Sequence, residues 1–168
     1  MFDAIWPNPG LRSVFPNSSN GGEVSPTPTP TYELGQILAV NALLGGGLGD
    51  KRKITNVVLM GSGEPLDNYD NVIAFLQNVS TDNGINISPR NISLSTCGLV
   101  PKIYDLANEN LPINLTISLH SPFNEERKEI MPIAKAYSIS EILKACSHYF
   151  DKTGRRYIFE YVLINGKT

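Results

Sequence analysis

Between Met60 and Leu66 the chain reads Gly61-Ser62-Gly63-Glu64-Pro65, a turn that carries a single carboxylate. Gly61 and Gly63 let the backbone approach a ligand closely, Glu64 offers an acceptor to an ammonium or hydroxyl group, and Pro65 stiffens the exit. The turn follows Val57 to Met60, a short unbroken apolar run of the kind expected for a strand covered on both faces. A ligand loop at the carboxyl end of a strand is the functional reading. A Rossmann fingerprint would require a third glycine where Leu66 stands, and a phosphate loop would require Gly-Lys-Ser/Thr, so neither nucleotide motif fits. Taken alone, the same residues read equally well as a plain glycine turn between strand and helix.

The elements that would position this loop belong to a chain of 168 residues, the size of one ordinary domain with a real core. A formal charge of -2 leaves no electrostatic footprint for nucleic acid, and the small basic clusters Lys51-Arg52-Lys53 and Arg155-Arg156 read as solvated surface. No apolar run approaches the roughly 20 residues that span a bilayer, and the N-terminus lacks a basic stretch followed by an apolar one. The expected location is cytoplasmic, with no membrane partner. Cys97 and Cys146 are far apart in sequence and are expected to be free thiols that pack in half-buried positions.

Residues 1–30 differ from the rest. Six prolines, from Pro7 to Pro30, are scattered among Asn, Ser and Gly, with Ile5, Trp6, Val14 and Phe15 as candidate anchors, so an irregular tail is expected. From Tyr32, the spacing of Leu34, Ile37, Leu38 and Leu44 predicts a helix that Gly45-Gly46-Gly47 stops. After the glycine loop, Asp67 or Asn68 can cap a helix with an apolar stripe of Val72, Phe75, Leu76 and Val79. Ile92 to Thr96 reads as a strand, followed by Gly98 and a helix with Pro101 in its first turn. A further strand, Ile113 to Leu119, leads to a short charged helix at Asn124 to Ile130. Ser138 and Glu141 form a capping box for a helix burying Ile142, Leu143, Cys146, Tyr149 and Phe150, and Tyr157 to Ile164 reads as the last strand. Strands alternating with helices indicate an α/β fold of right-handed βαβ units. About four parallel strands, with helices outside, make part of a barrel spanning residues 31–168, since a closed eight-unit barrel takes roughly 250 residues.

Four stretches, VVLMGSGEPLDNYDNV, ISLSTCGLVPKIYDLA, NLTISLHSPFNEERKEIMPI and FEYVLING, occur in this order. Together they resemble the middle of the bacterial radical S-adenosylmethionine enzymes that methylate adenine C2 in 23S ribosomal RNA and transfer RNA. The resemblance covers about residues 31–168. It implies a partial (βα) barrel of the radical S-adenosylmethionine type, in which Gly63 and Glu64 bind the methionine end of S-adenosylmethionine. It further implies that Ser95 contacts the cofactor and that Ser118, Leu119 and His120 form another contact. Read on their own, Ser95 is better taken as hydrogen-bonding within a turn and His120 as a satisfied strand-end histidine. Glu160 either points into the barrel mouth or lies on an exposed edge.

The resemblance also implies a [4Fe-4S] cluster on a Cys-x3-Cys-x2-Cys loop before the first helix, a methyl-carrying cysteine, 23S rRNA and tRNA as substrates, and a protein that reduces the cluster. The place of that loop is Ser18 to Pro30 here, without a cysteine, so no metal ligand and no catalytic residue is assigned. Two alternatives stand beside the C2 methyltransferase: the related branch that methylates C8, and a non-catalytic remnant that keeps part of an S-adenosylmethionine pocket.

Overall fold

The computed structural model describes residues 3–5, 30–60 and 63–163. Five strands form one sheet in chain order: β1 (Asp3–Ile5), β2 (Asn56–Leu59), β3 (Ile92–Thr96), β4 (Asn114–Ser118) and β5 (Tyr157–Glu160). Every neighbouring pair is parallel. The crossovers carry α1 (Pro30–Leu43), α2 (Tyr69–Val79), α3 (Val100–Ala107), α4 (Asn124–Ile130) and α5 (Ile139–Thr153). Strands laid down in chain order, each joined to the next by a helical crossover, are the topology of a (βα) barrel segment; a doubly wound sheet would reverse direction at a switch point. Strand β1 departs from expectation, because it lies in the stretch read as irregular. Its three residues carry no pattern of their own and are ordered by pairing with Asn56 to Val58. The rest of the tail, including Trp6, Val14 and Phe15, and the end of the predicted last strand at Ile164 lie outside the described residues.

The register divides the sheet into two unlike faces. On one, Leu59, Leu94, Leu115 and Tyr157 form a cross-strand row, and Thr96, Ile117 and Phe159 form the next. Leu59, Leu94, Leu115 and Ile117 share a single buried cluster with Val72, Phe75 and Leu76 of α2, Ile103 and Leu106 of α3, and Ile142, Cys146 and Tyr149 of α5. The opposite face carries Val58, Ser93 and Asn114 in one row, Ser95, Thr116 and Ile158 in the next, and Ser118 beside Glu160. The expectation that Val57 to Met60 is covered on both faces is therefore corrected. Val57 and Leu59 are buried while Val58 is half-buried and Met60 exposed, because the helices cover one face only.

Local chemistry explains the element boundaries. Ser138 accepts the Glu141 amide at 3.3 Å while the Glu141 carboxylate accepts the Ser138 amide at 2.8 Å, so the expected capping box starts α5. The Ser138 hydroxyl, which donates to Glu141 Oε2 at 2.6 Å, and then the Ser138 amide hold the Glu141 carboxyl below its ordinary pKa. Gly154, with φ of 64°, ends the helix in the left-handed conformation. The buried stripe of α5 is Ile142, Ala145, Cys146 and Tyr149; Leu143 and Phe150, expected inside, are exposed because they fall beside that stripe at 3.6 residues per turn. Leu38 within α1 and Leu44 just after it are likewise exposed, and the buried positions of α1 include Glu33, Ile37 and Asn41. Asn41 donates to the Gly47 carbonyl at 2.8 Å and accepts the Lys53 amide at 2.8 Å, which fixes the return from α1 into β2. A Cβ on Gly46 would collide with that asparagine.

Candidate functional site

The carboxyl ends of β2 to β5 carry the residues singled out from sequence, and hydrogen bonds join them. After β2, Gly61 and Ser62 lie outside the described residues, and Gly63 has φ of 119°, a conformation that favours glycine. Glu64 is the N-cap of a 3-10 turn over Pro65–Asn68, which places the start of α2 at Tyr69, just after the expected Asp67 and Asn68. Its Oε1 accepts the Leu66 amide at 3.0 Å, and its Oε2 accepts the Cys97 amide at 2.6 Å. A carboxylate offers about four lone-pair positions, so two bonds to backbone leave acceptor capacity for a ligand's ammonium group.

At the end of β3, Ser95 is buried and donates to Glu160 Oε2 at 3.2 Å. The Ser118 hydroxyl, at the end of β4, donates to the same oxygen at 3.4 Å, and the two serine oxygens are 3.5 Å apart. The Glu160 side chain therefore lies on the same face of the sheet as Ser95 and Ser118, as its barrel-mouth reading expects, while its strand β5 is the edge strand of the described sheet. Its carbonyl accepts the amides of Leu119 at 3.0 Å and His120 at 3.2 Å, so β5 pins the turn after β4. His120 adopts φ of 61°, and its Nδ1 is buried without a hydrogen-bond partner among the described residues. Ser95, Ser118, Leu119 and His120 thus gather around Glu160, while Glu64 joins the group through Cys97. With both serine protons turned toward a carboxylate, this wall presents acceptors, which suits a ligand rich in donors.

Gly98 closes the turn after β3. It has φ of 100°, donates its amide to Thr96 Oγ1 at 3.1 Å, and a Cβ there would lie 2.8 Å from Ile142 Cδ1. Burial first, and then the neighbouring Glu64 carboxylate, push the Cys97 thiol well above its ordinary pKa, so it stays protonated. Burial pushes Cys146 up to about 12. Both are packing residues, as free thiols.

Sequence reasoning missed Arg127. It is the buried residue of α4, and its Nε donates to the Leu119 carbonyl at 3.1 Å. Its Nη2 donates to the carbonyls of Cys97 at 2.7 Å and Ser118 at 3.3 Å, and Nη1 is buried without a partner among the described residues. Desolvation lowers its pKa from the ordinary arginine value. Nothing in the run Glu125-Glu126-Arg127-Lys128-Glu129 sets this arginine apart from its solvated neighbours.

The residues present do not fit an iron-sulfur cluster. The chain has two cysteines, one after β3 and one inside α5, and no group of three or more His, Cys, Asp and Glu among the described residues is placed to hold a metal ion. Among the described residues no helix is long and apolar enough to cross a membrane.

Comparison with known proteins gives the family and the fold. Residues 47–168 match the family model of the Radical SAM superfamily. A probable dual-specificity RNA methyltransferase RlmN from Clostridium perfringens (strain 13 / Type A) is 56% identical over 133 residues, which is 79% of this chain and 37% of that protein. A protein with the same description from Thermoanaerobacter sp. (strain X514) is 47% identical over 156 residues, 93% of this chain and 43% of its own. The crystal structure of a radical SAM methyltransferase from Sphaerobacter thermophilus superposes with a TM-score of 0.76 at 37% identity, covering 83% of this chain and 40% of that one. The chain therefore spans under half the length of these relatives. The parallel sheet, the glycine-glutamate loop at its carboxyl end and the match over residues 47–168 together establish that this chain belongs to the radical SAM superfamily.

Proposed function

We propose that this chain is the S-adenosylmethionine-binding part of an RNA methyltransferase that acts on adenine C2 in 23S rRNA and tRNA. The observation that carries the reading is the acceptor wall formed by Glu64, Ser95, Ser118 and Glu160 across four adjacent parallel strands. Glu64 takes the α-ammonium group, and the Ser95-Ser118-Glu160 cluster takes hydroxyl donors further along the cofactor. The ends of β2 and β5 are three strand spacings apart, about 14 Å, so one elongated ligand is needed to reach both. When bound, S-adenosylmethionine supplies the methyl group; the protein's own residues orient it and shield it from water. The likeness to the RlmN relatives supports RNA as the substrate class; 23S rRNA, tRNA and a protein that reduces the cluster are what the resemblance of the four sequence stretches implies. The test is genetic. Disruption of the encoding gene removes 2-methyladenosine from nuclease digests of 23S rRNA and tRNA analysed by mass spectrometry, and unchanged 2-methyladenosine in both would overturn the reading.

A second reading rests on the two-cysteine count: a chain without three convergent thiolates binds S-adenosylmethionine without supporting the family's cluster chemistry. Anaerobic reconstitution with iron and sulfide separates the two. Four irons per chain with cluster absorbance favour the enzyme, and adventitious iron alone favours the binder.

A further inference from the structure

We propose that Arg127 is the positioning residue of the cofactor pocket, joining the turns after β3 and β4 into one wall and, through Cys97, setting the place of the Glu64 carboxylate. The inference rests on reading this pocket as an S-adenosylmethionine site. One guanidinium contacts the carbonyls of Cys97, Ser118 and Leu119. The peptide of Cys97 continues the connection, because its amide donates to Glu64 while its carbonyl is held by Arg127. The turn carrying Ser118, Leu119 and His120 is held from both sides, by Arg127 on its carbonyls and by the Glu160 carbonyl on its amides. Every candidate ligand-binding residue outside β3 itself is thus within one peptide unit of a bond to Arg127 or to a residue it holds.

The arginine is itself anchored. Its amide donates to the Phe123 carbonyl at 2.9 Å, its carbonyl accepts the Met131 amide at 2.8 Å, and Asn124 Oδ1 accepts the Ile139 amide at 2.9 Å, tying α4 to the start of α5. Stability alone does not account for this side chain. It is fully buried, and the ion pairs among the described residues are Lys102 with Asp105 and Lys128 with Glu125, so its charge faces no carboxylate. An apolar side chain of similar volume serves a core as well or better than a buried charge. What it cannot do is direct three planar donors at carbonyls from two separate turns; a lysine, with a compact ammonium, cannot span them either.

The experiment compares the wild-type chain with Arg127→Met, which removes the buried charge, and Arg127→Lys, which keeps it. Amide hydrogen exchange and isothermal titration with S-adenosylmethionine are measured on each, beside a thermal melt. The expected result is a cooperative melt, exchange about tenfold or more faster at Cys97, Leu119 and His120 with the ladder amides of β3 and β4 unchanged, and about tenfold or more weaker binding. Exchange that quickens uniformly across the sheet shows a purely structural role and overturns the proposal. So does unchanged exchange at the three amides, or selective quickening with unchanged affinity. If the wild-type chain does not bind S-adenosylmethionine, the cofactor reading fails, and selective exchange at the three amides still supports Arg127 as the residue that fixes this wall. Should Arg127→Met fail to fold, Arg127→Lys gives the same measurements.

Discussion

The Glu64 carboxylate accepts the Cys97 amide at 2.6 Å, a bond that locks the loop after β2 to the turn after β3 across 33 residues of chain. The carboxylate is held in place before any ligand arrives, so its orientation costs little on binding.

Glu64→Gln tests that relationship. The amide side chain keeps the volume but turns one oxygen into a donor, so one of the two backbone amides loses its acceptor. Hydrogen bonds to charged groups contribute about 1.5–3 kcal/mol, and chemical denaturation is expected to show a loss at or below that range. Binding of S-adenosylmethionine is expected to weaken about tenfold or more by calorimetry.

Gly98 and Gly154 make a paired prediction. Both have positive φ, but a Cβ on Gly98 meets Ile142 at 2.8 Å whereas one on Gly154 meets nothing within 4 Å. Gly154→Ala should cost about 1 kcal/mol from backbone strain, and Gly98→Ala about 1–3 kcal/mol more from overpacking. Equal shifts in the denaturation midpoint would contradict the packing seen at the end of β3.

Glu33 predicts a pH dependence. It is buried on α1, its Oε1 has no hydrogen-bond partner among the described residues, and burial pushes its pKa from 4.5 to about 7. Between these values the folded chain binds more protons at this site than the unfolded chain, so stability falls as pH rises from about 4.5 through about 7. Full ionisation in place corresponds to a loss of at most about 3 kcal/mol. Glu33→Gln should flatten the slope and stabilise the chain at pH 8, as read from denaturation midpoints across that range.

The thiols offer a chemical probe. Cys97 and Cys146 both have raised pKa values, so alkylation of the folded chain at pH 8 should be slow beside a free thiol. Removing the adjacent negative charge with Glu64→Gln should quicken Cys97 and leave Cys146 unaffected, as peptide mass spectrometry can follow.

How much of this was readable in the sequence depends on how local the signal is. Strand β3 and helix α4 occupy Ile92–Thr96 and Asn124–Ile130 as expected, and the α5 capping box needs only residues three apart. Strand β1 could not be read this way, since three residues become a strand only through a partner more than fifty positions away. The strand β2 run of Val57 to Met60 looks doubly buried because composition does not say which face a helix covers; the register does. Glu160 was ambiguous for a related reason: alternation along β5 puts it beside Ile158, but only pairing with Ser118 shows that it shares a face with Ser95 and Ser118. Arg127 acts on carbonyls of residues 97, 118 and 119, and backbone acceptors leave no mark in a sequence. The resemblance supplied Ser95 and His120, which residue type alone did not distinguish from ordinary strand-end residues.

The most direct test is a titration of the isotopically labelled chain with S-adenosylmethionine, followed by amide and side-chain shifts. The result expected is a set of perturbed signals from Gly63, Glu64, Ser95, Glu160 and Ser118 through His120, with the cleft lined by Ala107, Asn110, Pro112, Lys152 and Thr153 unaffected. Perturbation centred on that cleft, or none at saturating ligand, would contradict the assignment of the pocket at the carboxyl ends of the strands.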